Sequence, residues 1–185
     1  QMGVLIQEVV GTKIGRYFMP VYAGVAFSKN LHRWSPRISP EDGLVRLVMG
    51  LGTRAVDRIN NDYPVMMAPG QPRIHINQSP EEIRKYSPKQ IDLIDLEHGF
   101  TTVDATTFLR EYGKDVPALA QLVSVFDNDF LTIKNSFSLN PSTDDMVITF
   151  HHAFSPVSDF APKIKRMLEV LSEKLQCPVD IEFAF

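Results

Sequence analysis

Cysteine is nearly absent from this sequence, and that scarcity excludes two common kinds of framework. Cys177 is the only cysteine among 185 residues, so the chain has no internal disulfide and no zinc site built from several cysteines. No apolar run approaches the roughly 18 residues of a membrane span, and the first residues lack the layout of a signal peptide. These absences favour a reducing, cytoplasmic setting without a membrane partner.

An excess of either charge is also missing. The 19 basic and 22 acidic residues give a formal net charge of −3, which argues against a dedicated nucleic-acid binder. The apolar content of 44% and the charged content of 22% are ordinary for a globular chain. The length suits one domain over 1–185 with a sizeable core, or a part of a larger domain.

The familiar catalytic and nucleotide motifs are absent too. The sequence contains no G-x-x-x-x-G-K-[ST], G-x-G-x-x-G, H-E-x-x-H or G-x-S-x-G pattern. The five histidines show no metal-ligand spacing. His151 and His152 are adjacent, so on a strand their side chains would face opposite ways. We therefore predict no catalytic residue from motifs.

What the sequence does contain is a series of short apolar segments with strand or helix periodicity. Strands are predicted over 3–10, 19–28, 44–49, 64–68, 73–77, 91–96, 122–127, 145–154 and 179–185. Helices are predicted over 53–60, 79–86, 104–113 and 159–175, and a long loop over 29–43. Strands outnumber the short, scattered helices, which indicates an α+β domain with a mostly antiparallel sheet.

The last predicted strand carries two carboxylates on one face. Alternation places Asp180 and Glu182 on the same side of the strand, roughly 7 Å apart, and four large apolar side chains on the other side. Spacing alone leaves two interpretations open. The acidic face is either a solvated surface, which is the more common case, or one wall of a metal site.

Glycines mark two places where another group could approach the backbone closely. In the strand 19–28, Gly24 and Ala26 belong to a face of small residues that would admit a neighbouring backbone or a flat ligand. The turn from Gly50 to Thr53 precedes a short helix that Thr53 could cap. Its backbone N–H groups could face an anion, although a tight turn explains the glycines equally well.

Four segments in order resemble one family. They are "VLIQEVV" (4–10), "AGVAFSKN" (23–30), "LVRLVMGLGTRAVD" (44–57) and "CPVDIEFAF" (177–185). Together they resemble the nucleotide-binding domain of phosphoenolpyruvate synthase and pyruvate phosphate dikinase, which has the ATP-grasp fold. The resemblance is weak from about 62 to 150, where we expect an insertion or a structural layer. It implies the C-terminal portion of an ATP-grasp domain, and the start at Gln1 and the end within a strand suggest a piece of something longer.

The resemblance also implies site residues and cofactors. In the family, the segment like "VLIQEVV" reads adenine through its backbone, which corresponds here to Gln7, Glu8, Val9 and Val10. The glutamate of the "D-I-E-[FW]" pattern binds magnesium, and its counterpart is Glu182. ATP and Mg²⁺ are therefore the implied cofactors. The family's glycine-rich lobe and its "Q-x-R" strand have no counterpart in this sequence.

The implied activity belongs to the full-length protein. ATP phosphorylates a histidine on a mobile domain, and a barrel domain passes the phosphoryl group to pyruvate. The partners would be these two domains and a second copy of the chain in a homodimer. Because phosphoryl transfer depends on a complete set of charge-neutralising groups, this chain alone is expected to be inactive.

One departure supports alternative functions. Family members often have "GLGE" where this chain has Thr53 after the second glycine, and a threonine cannot supply that charge. A non-catalytic nucleotide-sensing or interaction module is therefore one alternative. A dikinase acting on another acceptor is a second.

Overall fold

The computed structural model describes residues 3–4, 6–56 and 62–185. Within them we number the strands and helices in chain order. The strands are β1 (Thr12–Ile14), β2 (Tyr17–Met19), β3 (Tyr22–Phe27), β4 (Leu44–Met49), β5 (Val65–Met67), β6 (Gln90–Asp95), β7 (Gly99–Asp104), β8 (Val123–Asp127), β9 (Phe130–Thr132), β10 (Met146–Ile148) and β11 (Asp180–Ala184). The helices are α1 (Thr53–Val56), α2 (Pro80–Lys85), α3 (Ala105–Tyr112), α4 (Leu119–Leu122) and α5 (Phe160–Leu175).

The strands form three antiparallel sheets. The first sheet has the order β1-β2-β6-β7, the second β10-β8-β9 and the third β11-β3-β4-β5. Among the described residues each strand pairing is antiparallel, and one isolated parallel bridge between Gly50 and Asp92 connects the end of β4 to β6. The predicted α+β class with mostly antiparallel strands is therefore confirmed.

One cluster of buried apolar side chains joins the three sheets. Its members include Leu47 of the third sheet, Leu93 of the first sheet and Val123 of the second. Helix α5 closes over this core with Ile164 and Leu168, each 2% exposed. The segment 62–150, where the family resemblance is weak, thus contributes to the same core as the strands from both ends of the chain.

Two of the predicted helices, α2 and α3, begin at caps that the sequence supplies. Helix α2 begins with a capping box in which Ser79 and Glu82 satisfy each other's backbone N–H groups, and Pro80 occupies the first turn. Helix α3 is capped by Asp104, whose side chain accepts a hydrogen bond from the Thr107 N–H. Both helices therefore follow from local sequence.

The predicted strand over 3–10 is wrong for the residues that the structure describes there. They have no regular secondary structure, and the side chains of Val4 and Ile6 are 76% and 89% exposed. An apolar run forms a strand only beside another strand that pairs with its backbone groups. Leu5 lies outside the described residues, as do residues 57–60 of the predicted helix.

Of two other strand predictions, one is wrong and the other is too long. Residues 73–77 are not a strand: Arg73 lies in a turn, Ile76 in a bend, and the other three have no regular structure. The segment 145–154 is a strand only over Met146–Ile148, because Phe150 has a left-handed φ of 49° and the chain then enters turns. The N–H groups of Thr149 and Phe150 both donate to the Leu122 carbonyl, which replaces the strand ladder at this point.

Candidate nucleotide-binding face

The register of the third sheet places Glu182 in a row of side chains on one face. Glu182 lies opposite Val25, Val25 opposite Arg46, and Arg46 opposite Met66. Directly paired residues share a face of a sheet, so these four side chains project to the same side. We call the side of the third sheet that bears Asp180 and Glu182 the Glu182 face.

The two carboxylates of this face are exposed to solvent. Asp180 and Glu182 are both exposed, and neither forms an ion pair with another residue in the described part of the chain. Residues 3–4, 6–56 and 62–185 contain no group of three or more His, Cys, Asp or Glu side chains that could hold a metal ion. One or two carboxylates are nevertheless the usual protein share of a magnesium site in which substrate phosphates provide further ligands.

A cation and an apolar patch adjoin the carboxylates. Val25, Val48 and Ala55 form a small buried cluster against which Phe27 packs. The guanidinium of Arg46 lies 5.3 Å from the centre of the Phe27 ring, and its Nη1 is 3.5 Å from the Ala55 carbonyl oxygen. Two strand spacings, about 10 Å, separate the backbones of Arg46 and Glu182.

The glycine turn before α1 is fixed to the first sheet. Gly50 has a left-handed φ of 78°, and a Cβ there would collide with the Asp92 carbonyl oxygen. The Leu51 N–H donates to that same oxygen over 2.8 Å. Because the contacts with Asp92 account for the backbone of this element, we interpret it as a tight structural turn rather than an anion site.

The carboxylate of Asp92 holds this turn in place through hydrogen bonds. It accepts hydrogen bonds from Thr53 Oγ1 (2.6 Å), Arg54 Nε (2.8 Å) and Thr102 Oγ1 (2.6 Å). Burial alone raises the pKa of Asp92, but the hydrogen bonds and the charge of Arg54 outweigh it and hold the pKa below its usual value. The Thr53 hydroxyl thus donates to Asp92 rather than capping α1.

Sequence reasoning did not identify Asp92. In a strand of alternating apolar and polar residues, the polar side chains usually face water. Here Ile91 and Leu93 are fully buried on one face, and Asp92 is also only 2% exposed on the other. The aspartates at 92 and 95 within an apolar run were the available signal, but it does not reveal which element covers the second face.

The small-residue face of β3 accommodates an aromatic ring of the protein itself. An added Cβ at Gly24 would lie 2.7 Å from the Phe183 ring and would collide with the Arg46 carbonyl oxygen. Phe183 in turn contacts the rings of Phe160 and Phe185 at centroid distances of 6.1 and 5.9 Å. The close neighbour predicted for this face is therefore Phe183 of β11.

The segment predicted to read adenine lies beside a different sheet. Gln7, Glu8, Val9 and Val10 are exposed and have no regular secondary structure. They precede β1, at the edge of the first sheet, whereas Glu182 belongs to the third sheet. The role of the segment 7–10 at adenine and the role of Glu182 at magnesium remain predictions.

These features define an α+β domain of the ATP-grasp-like class, with an exposed acidic face on one sheet. Comparison with protein families then identifies the family: the model for the pyruvate phosphate dikinase AMP/ATP-binding domain matches residues 1–185. The chain belongs to this family, as the four segments indicated. The match also includes the segment 62–150.

No curated protein and no solved structure matches the chain. Among the described residues, no helix is long and apolar enough to cross a membrane.

Proposed function

We propose that this chain is part of an ATP-dependent phosphotransferase resembling phosphoenolpyruvate synthase. In the full-length protein, ATP would phosphorylate a histidine of a mobile domain, and the phosphoryl group would then pass to pyruvate. The observation that carries the proposal is the open carboxylate of Glu182, fixed on a strand in a chain that belongs to an AMP/ATP-binding family.

The chemistry of the Glu182 face supports a magnesium–nucleotide complex. Glu182 would be the magnesium ligand, with Asp180 as its neighbour, because carboxylate oxygens are preferred ligands of this ion. When bound, magnesium would neutralise charge on the transferring phosphoryl group. Arg46 would add a positive charge on the same face. Holding Glu182 on a paired strand fixes its position, which favours alignment of the phosphates.

Adenine recognition is proposed for the exposed segment before β1. The backbone N–H and C=O groups of Gln7, Glu8, Val9 and Val10 would bind the edge of the base. The side chains of Val9 and Val10 are 42% and 57% exposed. Apolar side chains in this position would contact the faces of a purine ring.

One observation favours a nucleotide-sensing module as the second candidate. Thr53 is uncharged, and its hydroxyl donates to Asp92 over 2.6 Å, so the position that is often acidic in the family supplies neither a charge nor a free hydroxyl proton. The parent sequence would discriminate between the two functions. A downstream "Q-x-R" segment, a phosphohistidine segment and a barrel domain favour the transferase, and a dikinase acting on another acceptor would differ in its acceptor domain.

The test is ATP binding to the full-length parent with and without magnesium, measured by isothermal titration calorimetry. The Glu182→Gln variant keeps the size of the side chain and removes its charge. We expect magnesium-dependent affinity to fall at least about tenfold, equivalent to about 1.4 kcal/mol. Glu173→Gln, an exposed change on α5, is the matched control and should behave like wild type. An unchanged magnesium response in Glu182→Gln would contradict the ligand role.

A further inference from the structure

A large cavity lies beside β5, at the opposite edge of the third sheet from Glu182. Its volume is about 850 Å³, within the range of about 300–1,000 Å³ that is typical of small-molecule sites. The loop before β5, helix α2, the second sheet and the turns after β10 form its walls. Representative lining residues are Tyr63, Tyr86, Ser124, Thr149 and Phe154.

The strand order separates this cavity from Glu182. Val65 and Met66 of β5 line the cavity, and β5 is one edge of the third sheet, whereas β11 with Glu182 is the other edge. Three strand spacings, about 14 Å, lie between these edges. Neither Asp180 nor Glu182 lines the cavity.

The lining has none of the residues that are permanently charged near pH 7. Among the described residues that line the cavity, none is Lys, Arg, Asp or Glu, and the titratable side chains are histidines and tyrosines. Burial lowers the pKa of His75. Burial and the neighbouring His152 lower the pKa of His151, despite a hydrogen bond to the Val123 backbone that acts the other way. These two rings are therefore mainly neutral at pH 7, and the lining offers no lysine or arginine to nucleotide phosphates.

Aromatic rings provide flat surfaces in the wall. The rings of His75 and Phe154 lie 4.8 Å apart and are inclined by 30°. Tyr63 and Tyr86 meet edge to face at 5.2 Å. Such surfaces favour stacking or edge contacts with another ring.

A pair of hydroxyl groups adds a neutral polar anchor. Ser124 Oγ and Thr149 Oγ1 lie 2.8 Å apart and share one hydrogen bond. A hydroxyl has one donor and two acceptor sites, so the pair can use only one of its two protons internally. The second proton and the remaining lone pairs are available to a ligand group.

We propose that this cavity binds an uncharged, ring-bearing small molecule through its aromatic wall and the Ser124–Thr149 hydroxyl pair. The cavity is separated from Asp180 and Glu182 by the width of the third sheet, and its ligand does not depend on the function proposed for those carboxylates. It gives the segment 62–150 a ligand-binding role in addition to its contribution to the core.

The test uses 5-fluoroindole as a neutral probe and ¹⁹F NMR to measure its binding to the 185-residue chain and to the full-length parent. We expect binding to both proteins in the micromolar to millimolar range. The anion 5-fluoroindole-3-acetate should bind at least about tenfold more weakly, because the lining lacks cations. Saturating ATP and magnesium should not displace the neutral probe.

Two variants test the proposed contacts. His75→Ala removes one ring of the His75–Phe154 pair, and Thr149→Val removes one hydroxyl with little change in shape. Each should weaken probe binding at least about fivefold, while His32→Ala, an exposed histidine outside the cavity, should leave it unchanged. Circular dichroism checks that each variant is folded.

Several results would overturn the proposal. These are equal binding of the anion, wild-type affinity in both folded cavity variants, and no binding of the neutral probe by the 185-residue chain. Binding by this chain but not by the parent would also overturn it, since another segment of the protein would then fill the cavity.

Discussion

At the scale of single residues, Asp92 connects the first sheet to the turn that carries the chain into α1. Its carboxylate accepts hydrogen bonds from Thr53, Arg54 and Thr102. Arg54 also pairs with Asp62 over 3.1 Å, and Asp62 accepts the Lys89 N–H. The buried charges thereby satisfy one another, which is the condition under which charges are tolerated in a protein interior.

Replacing Asp92 with Asn should destabilise the protein strongly. The variant leaves the buried guanidinium of Arg54 with Asp62 as its remaining ion-pair partner, so we expect a loss of about 3 kcal/mol in the free energy of unfolding. Asp127→Asn changes an exposed carboxylate at the end of β8 and should cost less than about 0.5 kcal/mol. Urea unfolding at pH 7 measures both changes, and equal stability of the two variants would contradict the role of Asp92.

The stabilities of wild type and Asp92→Asn should also depend differently on pH. The pKa of Asp92 is lowered in the folded state, whereas the unfolded value is about 3.9. The stabilisation is therefore complete above about pH 5 and is lost as pH falls through 3.9 towards the folded pKa. Wild type should accordingly lose more stability than Asp92→Asn between pH 5 and pH 3.

At the scale of secondary-structure elements, β3 and β11 fit because a glycine faces an aromatic ring. Gly24 lies opposite Phe183 in the register, and the ring occupies the space that a side chain at Gly24 would need. Phe183 itself is partly buried against the common core. The absence of a side chain at Gly24 therefore allows β11 to complete the third sheet.

Introducing a methyl group at Gly24 should disturb this pairing. The added Cβ would approach the Phe183 ring to 2.7 Å, so we expect Gly24→Ala to cost about 1–3 kcal/mol through overpacking. Gly52→Ala is the matched control, because its nearest neighbour would be the Ala23 Cβ at an ordinary 3.5 Å. Thermal unfolding followed by circular dichroism compares them. A Gly24→Ala melting temperature equal to that of Gly52→Ala would argue against tight packing here.

The elements that the sequence predicts well are those with a strong local pattern. Strand β4 matches the predicted bounds, and α5 differs by one residue at its start. In α5 the apolar residues repeat at helical spacing over 16 residues, a pattern that favours a helix over a strand. The run 3–10 is also rich in apolar residues, yet its described residues form no strand. Its failure shows that pairing with a neighbour, which composition does not encode, decides whether a strand forms.

The candidate site was predictable only in part, for the same reason. Alternation placed Asp180 and Glu182 on one face, and both are exposed there, but their assignment to magnesium depended on family resemblance. The anchoring role of Asp92 and the cavity beside β5 arise from contacts between distant segments. Asp92 meets Thr53 across 39 positions of the chain, and local periodicity carries no information about such a contact.

At the scale of the whole molecule, the large apolar core that the three sheets share makes them mutually dependent. The core combines residues from both ends of the chain with residues of the segment 62–150. Trp34, in the loop before β4, donates from its indole Nε1 to the Ile74 carbonyl over 2.9 Å. This contact links the loop 29–43 to the middle segment, outside the main hydrogen-bond ladders.

The shared core predicts one cooperative unfolding transition for the chain. Leu168→Ala, at a position 2% exposed in α5, should lower the free energy of unfolding by about 2–5 kcal/mol. Met167→Ala, at the adjacent and 46% exposed position, should cost about 0.5 kcal/mol. Far-ultraviolet circular dichroism follows the helices, and fluorescence of the single tryptophan follows the contact with the middle segment.

Because both probes depend on one core, their urea midpoints should coincide in wild type and should shift together in Leu168→Ala. If the fluorescence transition stayed in place while the circular dichroism transition moved, the middle segment would fold independently of α5. The segment 62–150 would then be a separate layer that only rests on the sheets. Coincident shifts would instead show that this segment and the strands bearing Glu182 form one folding unit, so that changes in its packing reach the Glu182 face.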